Sequence, residues 1–296
     1  MDLNSIEAVQ HALQTQRYVC EPSLATAIFL ALRLPKPLLL EGEAGVGKTE
    51  VSKALTAILD TDLIRLQCYE GLDISHAVYE WNYPRQMLAI RLLEECATGR
   101  DQAIEEIFGP ENLIERPLLQ AIRHTGKPPV LLIDEIDRAD EEFEAFLLEL
   151  LSDFQITIPE IGTIRAATPP VVIITSNRTR ELHDALKRRC LYHWIDYPSI
   201  EKELRIITAK VPGISARLAQ QIAAFISSLR QEDLYKLPGV AETLDWANAL
   251  MALHQQELSA EIASATLGAI LKHQEDMQVI RRGKLAELVG AAAVGE

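Results

Sequence analysis

The loop Gly42-Glu43-Ala44-Gly45-Val46-Gly47-Lys48-Thr49-Glu50 fits G-x-x-x-x-G-K-[S/T] at every fixed position. Its glycines let backbone N–H groups curl around an anion without Cβ clashes. A helix starting near Lys48 adds the positive end of its dipole. In that geometry Lys48 would reach the β- and γ-phosphates of a nucleotide, and the Thr49 hydroxyl would bind Mg2+.

The stretch Val130-Leu-Leu-Ile-Asp134-Glu135 is an apolar run ending in two carboxylates. In a parallel sheet such a run delivers both acids to the carboxyl edge, where phosphate loops lie. Asp134 would then hold Mg2+, mostly through water, and Glu135 would polarise an attacking water. Taken alone, the same residues fit a core strand followed by solvated acids, and the glycine loop tips the balance. A third run, Ile174-Thr-Ser-Asn177, also ends in a polar residue. Asn177 there either orients the water and senses the γ-phosphate or simply terminates a strand. Lys187-Arg188-Arg189 is either a basic surface turn or a source of arginine for a neighbouring active site.

The segments that must position these residues alternate in type. Pro37–Glu41 is expected to be a short buried strand, followed by the loop and a helix from about Lys48 to Leu59. Leu63–Gln67, Val130–Ile133, Val171–Thr175 and Leu191–Ile195 are the further strand candidates. Runs apolar at every position suit a parallel sheet covered on both faces, hence an α/β sandwich. Upstream, Asn4 and Glu7 have capping-box spacing ahead of Ile6, Val9 and Leu13. A second helix is expected over about Ser23–Arg33, ended by Pro35 and Pro37. Beyond Pro198 only helical patterns remain, near 200–210, 214–231, 240–256 and 259–275. The expected organisation is therefore an α/β domain over 1–198 and a helical domain over 199–296. Residues from about 73 to 125 exceed what one crossover helix needs and leave room for an insertion. Phe154–Ile164 alternates isoleucine with polar residues around Pro-Glu-Ile-Gly, which predicts a hairpin over about 154–166. Tyr79-Glu-Trp81-Asn-Tyr83 concentrates aromatics in a chain that is only 5% aromatic. Gripping a partner and packing the insertion are both open readings of it.

A length of 296 residues suits one large domain or two unequal ones. The net charge of −14 argues against broad binding to nucleic acid or anionic lipid, which needs a cationic surface. Cys20, Cys68, Cys96 and Cys190 are widely spaced, and no C-x-x-C or H-x-x-x-H spacing points to zinc. The start Met1-Asp-Leu-Asn lacks a basic region and an apolar core, and Leu24–Leu32 is too short to cross a bilayer. A cytoplasmic protein is the expectation.

Glycine loop, Asp134-Glu135 strand, Ser176-Asn177 strand end, arginine pair and helical C-terminal region, in that order, resemble an AAA+ ATPase. More narrowly the chain resembles the MoxR group, closest to the subgroup linked to carbon monoxide dehydrogenase maturation. The lines that carry this are Gln67-Cys-Tyr-Glu-Gly-Leu-Asp73, Tyr79-Glu-Trp-Asn-Tyr-Pro-Arg-Gln86, Asp134-Glu-Ile-Asp-Arg-Ala139, Ser176-Asn-Arg-Thr-Arg-Glu-Leu182 and Ala185-Leu-Lys-Arg-Arg-Cys190. The resemblance implies a P-loop NTPase fold, with a three-layer parallel-sheet core and a C-terminal all-helical lid. It implies Mg2+-dependent ATP hydrolysis that drives remodelling or maturation of a client protein, such as a metalloenzyme. It further implies a ring, hexameric in the family, and a partner containing a von Willebrand factor A domain. On this pattern residues Gly42 to Glu50 bind ATP, Thr49 and Asp134 hold Mg2+, and Lys48, Glu135 and Asn177 are catalytic. Arg189 matches the family's arginine finger better than Arg188 does. The insertion and the hairpin would lie near the central pore. One departure stands out: family members often start a lid helix with arginine, but Pro238-Gly-Val-Ala-Glu-Thr-Leu-Asp-Trp246 has none.

Rival functions remain compatible with the cradle. A P-loop kinase acting on a small molecule shares it, but needs neither a helical lid domain nor an arginine from another subunit. A DNA-remodelling AAA+ ATPase is opposed by the acidic balance, and a nucleotide-dependent scaffold by the complete set Lys48, Thr49, Asp134 and Glu135.

Overall fold

In the computed structural model, residues 3–96 and 107–294 are described. They form two compact units that interleave along the chain. One comprises Met1–Val9, Ser23–Glu41 and Ser52–His193, the other Gln10–Pro22, Gly42–Val51 and Trp194–Glu296.

The first unit is built on a sheet of β1 (Leu38–Gly42), β2 (Leu63–Gln67), β5 (Val130–Asp134), β8 (Val171–Ser176) and β9 (Leu191–Ile195), in the order β2-β5-β8-β1-β9. β2 pairs with β5, β5 with β8 and β8 with β1, all parallel. Their carboxyl ends therefore share one edge, and Gln67, Asp134, Ser176 and Glu41 stand along it. Leu38–Leu40 and Val130–Ile133 are fully buried, as expected for strands covered on both faces. Helices Pro117–Arg123 and Glu141–Asp153 supply Leu118, Leu119, Ile122, Phe143, Leu147 and Leu150 to the core beside Leu131, Ile133, Val172 and Ile174.

Two small sheets branch from this unit. β3 (Tyr79–Trp81) pairs antiparallel with β4 (Leu113–Glu115). Tyr79 and Trp81 pack against the core, and Trp81 also meets Phe108 edge-on at 5.4 Å between ring centroids. Tyr83, at the start of helix Tyr83–Cys96, is 64% exposed. The aromatic run thus divides into two packing residues and one surface residue. Residues 97–106 of the expected insertion lie outside the described residues. β6 (Gln155–Ile158) and β7 (Gly162–Arg165) form a hairpin in which Ile156 faces Ile164 and Ile158 faces Gly162.

The N-terminal cap differs from expectation. The Ala8 N–H donates to Ser5 Oγ at 3.1 Å, so Ser5 caps helix Ile6–Thr15. Asn4 instead accepts from Arg33 Nη2 at 2.6 Å. Either side chain is chemically competent, and the second contact, from a residue far along the chain, decides between them.

The second unit carries helices Ile200–Lys210, Ala216–Leu229, Val240–Ala252 and Ala260–Thr266, then Gln274–Val279 and Leu285–Val294 joined by a π-helical turn over Ile280–Lys284. Its core gathers Ile207, Leu218, Ile222, Phe225, Trp246, Leu250 and Ile280. The helix expected to run to 275 ends at Thr266 in a 3-10 turn over Leu267–Ala269. Leu267 and Ile270 are both buried. Residues three apart eclipse in 3-10 geometry, so the tighter turn sends both into the core. Thr266 completes the stop: its hydroxyl donates to Ile262 O and accepts from Trp246 Nε1.

Candidate nucleotide-binding and hydrolysis site

β1 runs directly into the glycine loop, and the chain enters helix Lys48–Leu59 at Lys48. A Cβ on Gly42 would lie 2.1 Å from the Ile195 carbonyl oxygen, and Gly45 has φ +77°, so glycine is required at both. Lys48 is 6% exposed. Its Nζ donates to Gly42 O at 2.7 Å and to Glu43 O at 2.6 Å. An ammonium so desolvated is held by carbonyl dipoles inside its own loop, ready for a stronger anion.

The second unit adds two supports to the loop that the motif alone did not reveal. Tyr18 lies beside Gly47, and burial raises its phenol pKa above the ordinary value. Helix Val240–Ala252 begins on the loop: the Ala241 N–H donates to Gly45 O at 3.2 Å. Glu242 reaches back to accept from the Gly239 N–H at 3.0 Å. An acid, not an arginine, therefore stands at this helix start.

The acidic edge belongs to the first unit. Asp134 is 3% exposed; its Oδ1 accepts from Thr175 Oγ1 at 2.6 Å and its Oδ2 from Arg65 Nη2 at 2.6 Å. Glu135 leaves the strand in left-handed backbone conformation, φ 56° and ψ 51°. Its N–H donates to Thr175 Oγ1 at 2.9 Å, and its Oε2 accepts from Gln67 Nε2 at 3.0 Å and Arg138 Nη1 at 3.3 Å. Strained backbone of this kind, held by the surroundings, clusters at functional sites. Cys68 follows β2, and burial pushes its thiol up to about 12, so it is no nucleophile near neutral pH.

β8 hands over to Asn177, which is half-buried and whose N–H donates to Asp137 Oδ1 at 3.2 Å. Asp137 also accepts from the Thr179 N–H and hydroxyl, so the turn after β5 clasps the turn after β8. Beyond it, helix Asp184–Arg189 carries the arginine pair. Arg189 Nε donates to Ser152 Oγ at 2.6 Å and its Nη1 to Ala185 O at 3.2 Å. Arg188 is exposed, and among the described residues it makes no hydrogen bond or ion pair.

The structure thus gathers Asp134, Glu135 and Asn177 at one edge of the first unit, and Lys48 with its loop in the second. The arginines sit on a helix of the first unit. Sequence reasoning missed Arg65, Gln67 and Thr175, which hold the acids, Asp137, which holds the turn after β8, and Tyr18 and Glu242, which flank the loop. Only Arg65 and Gln67 left a signal, two polar residues alternating along an otherwise apolar strand.

A parallel sheet whose first strand feeds a glycine–lysine loop, followed by a helical C-terminal region, is the P-loop AAA+ fold. Residues 37–190 match the AAA domain of the dynein-related subfamily, and the chain belongs to this family. Uncharacterised proteins of Staphylococcus aureus strains USA300 and NCTC 8325 / PS 47 are each 26% identical to it over 171 residues. The match covers 55% of this chain and 57% of either relative. Among solved structures, the Thermotoga maritima RuvB Holliday junction branch migration motor is similar at 17% identity and TM-score 0.45, covering 87% of this chain and 68% of that one. A point mutant of the same protein covers 94% and 71% at TM-score 0.49. Among the described residues, no helix is long and apolar enough to cross a membrane.

Proposed function

We propose that this member of an ATPase family hydrolyses Mg2+-ATP to remodel a partner protein, as a MoxR-type chaperone closest to the subgroup linked to carbon monoxide dehydrogenase maturation. The observation that carries the reading is that one chain holds both a buried Lys48 in a glycine loop and an apolar strand that ends at Asp134 with Glu135 next. Lys48 binds the β- and γ-phosphates, and the N–H groups of Gly42 to Glu50 cradle the chain of phosphates. The donor set suits Mg2+. One buried carboxylate, Asp134, and one hydroxyl, Thr49, are hard oxygen ligands too few for a protein-only cage, which fits an ion that keeps its waters and arrives with phosphate. Bound there, Mg2+ would neutralise charge on the transferring phosphate. Glu135 polarises the attacking water and Asn177 orients it.

In this proposal the site is completed across a ring, hexameric by the family's pattern, by an arginine of the neighbouring subunit. Arg188, which makes no ties of its own among the described residues, is the readier guanidinium, and Arg189 the better positional match. A von Willebrand factor A domain protein and a metalloenzyme client are the proposed partners.

The test is the ATPase rate per chain measured against protein concentration, with Glu135→Gln as control. A rate rising with concentration, and lost by ~10²–10⁴-fold in the variant while ATP still binds, is expected. Hydrolysis by Glu135→Gln equal to wild type would remove Glu135 from its assigned role.

A further inference from the structure

The parallel register sets Gln67 opposite Asp134 and Arg65 opposite Leu132. Residues two apart on a strand share a face, so Arg65 and Gln67 stand together beside the end of β5. The Arg65 guanidinium donates both to Asp134 Oδ2, at 2.6 Å, and to Gln67 Oε1. The Asp134 side chain is 4% exposed and that of Arg65 is 51% exposed.

A carboxylate buried to this degree is costly without a compensating charge. The Thr175 hydroxyl satisfies one oxygen but brings no charge. Arg65 brings it, through one nitrogen on one oxygen rather than the two parallel bonds that make arginine–carboxylate pairs tight. A guanidinium half in water can also swing off without being buried elsewhere.

We propose that Arg65 is a resident cation that competes with a divalent metal for Asp134, so that this acid accepts the metal only when nucleotide delivers it. The proposal rests on the reading of Asp134 as the metal-side carboxylate given above. A bare divalent ion dehydrates reluctantly and meets an acid whose charge is already balanced. An ion held by phosphate oxygens arrives with further ligands and with negative charge that draws the guanidinium away. Arg65 is thus a positioning residue on the acidic edge, and it disfavours idle metal binding by the empty site.

The probe is Mn2+ titrated into the nucleotide-free chain, with free ion read by electron paramagnetic resonance. Arg65→Gln is expected to take up Mn2+ about tenfold more tightly than wild type, the scale of one partly exposed charge pair. Adding Asp134→Asn to that variant is expected to cancel the gain. Arg65→Lys keeps the charge and is expected to stay near wild type. Equal uptake by wild type and a folded Arg65→Gln overturns the proposal, as does a gain that survives Asp134→Asn. Should Arg65→Gln fail to fold, a tenfold gain in Arg65→Lys overturns it and wild-type uptake supports it. The titration needs no nucleotide, so a chain that binds no ATP would sink the proposed function and leave the Mn2+ result to judge Arg65.

Discussion

Lys48 and Asp134 are the two charges on which the proposed function depends, and they are held in opposite ways. Lys48 is fixed by carbonyls six and five residues away in sequence, within a loop whose path is set by glycine backbone. Asp134 is fixed by the side chains of Arg65 and Thr175, 69 and 41 residues away. The hold on Lys48 is therefore local, whereas the acidic edge exists only once three strands have paired in register. Local backbone geometry tolerates loss of a side chain; a side-chain network around a buried carboxylate does not.

Lys48→Ala sharpens the contrast most. Charge-assisted contacts to phosphate vanish, so nucleotide affinity should fall by ~100-fold or more in a fluorescent-nucleotide titration. The carbonyls of Gly42 and Glu43 lose only a donor, and thermal stability should stay within about 1 kcal/mol of wild type. A variant that binds normally would break the cradle reading, and one that unfolds would break the claim that the loop holds itself.

The same contrast explains what was legible in the sequence. The glycine loop could be assigned because all its determinants lie within nine consecutive residues, and the apolar strands because burial on both faces leaves uninterrupted runs. Arg65 and Thr175 could not be assigned as partners of Asp134, since nothing local links them and only the order β2-β5-β8 makes them neighbours. Ser5 and Asn4 could not be separated for a similar reason: the deciding contact comes from Arg33. In the second unit, Leu267 and Ile270 fit a helical period, and only the tie of Thr266 to Trp246 shows where the helix stops.

Thr175→Val carries the contrast to the other side. Thr175 is 1% exposed, and its hydroxyl serves Asp134 Oδ1 and the Glu135 N–H at once. Valine matches its shape but removes a hydroxyl bond from a buried carboxylate and leaves the Glu135 backbone donor without its acceptor, at about 1–3 kcal/mol. The denaturant midpoint should fall, with nucleotide affinity affected less than in Lys48→Ala. Unchanged stability would mean that water or Arg65 alone satisfies the edge.

The smallest effect is expected at Glu242, where the cradle has a side chain close to it. Gly239 caps helix Val240–Ala252 without a side-chain bond, so the reach of Glu242 back to the Gly239 N–H is half a capping box. Glu242→Ala removes that half, a loss of about 1 kcal/mol. In a chain of this size that lowers the melting temperature by about 2 °C. The bond from the Ala241 N–H to Gly45 O is backbone and survives the substitution. Nucleotide affinity should therefore move by less than about threefold, well under 1 kcal/mol. A loss approaching that of Lys48→Ala would mean that the loop leans on this carboxylate after all. The cradle would then be held from a distance, as Asp134 is, and the opposition between the two charges would fail.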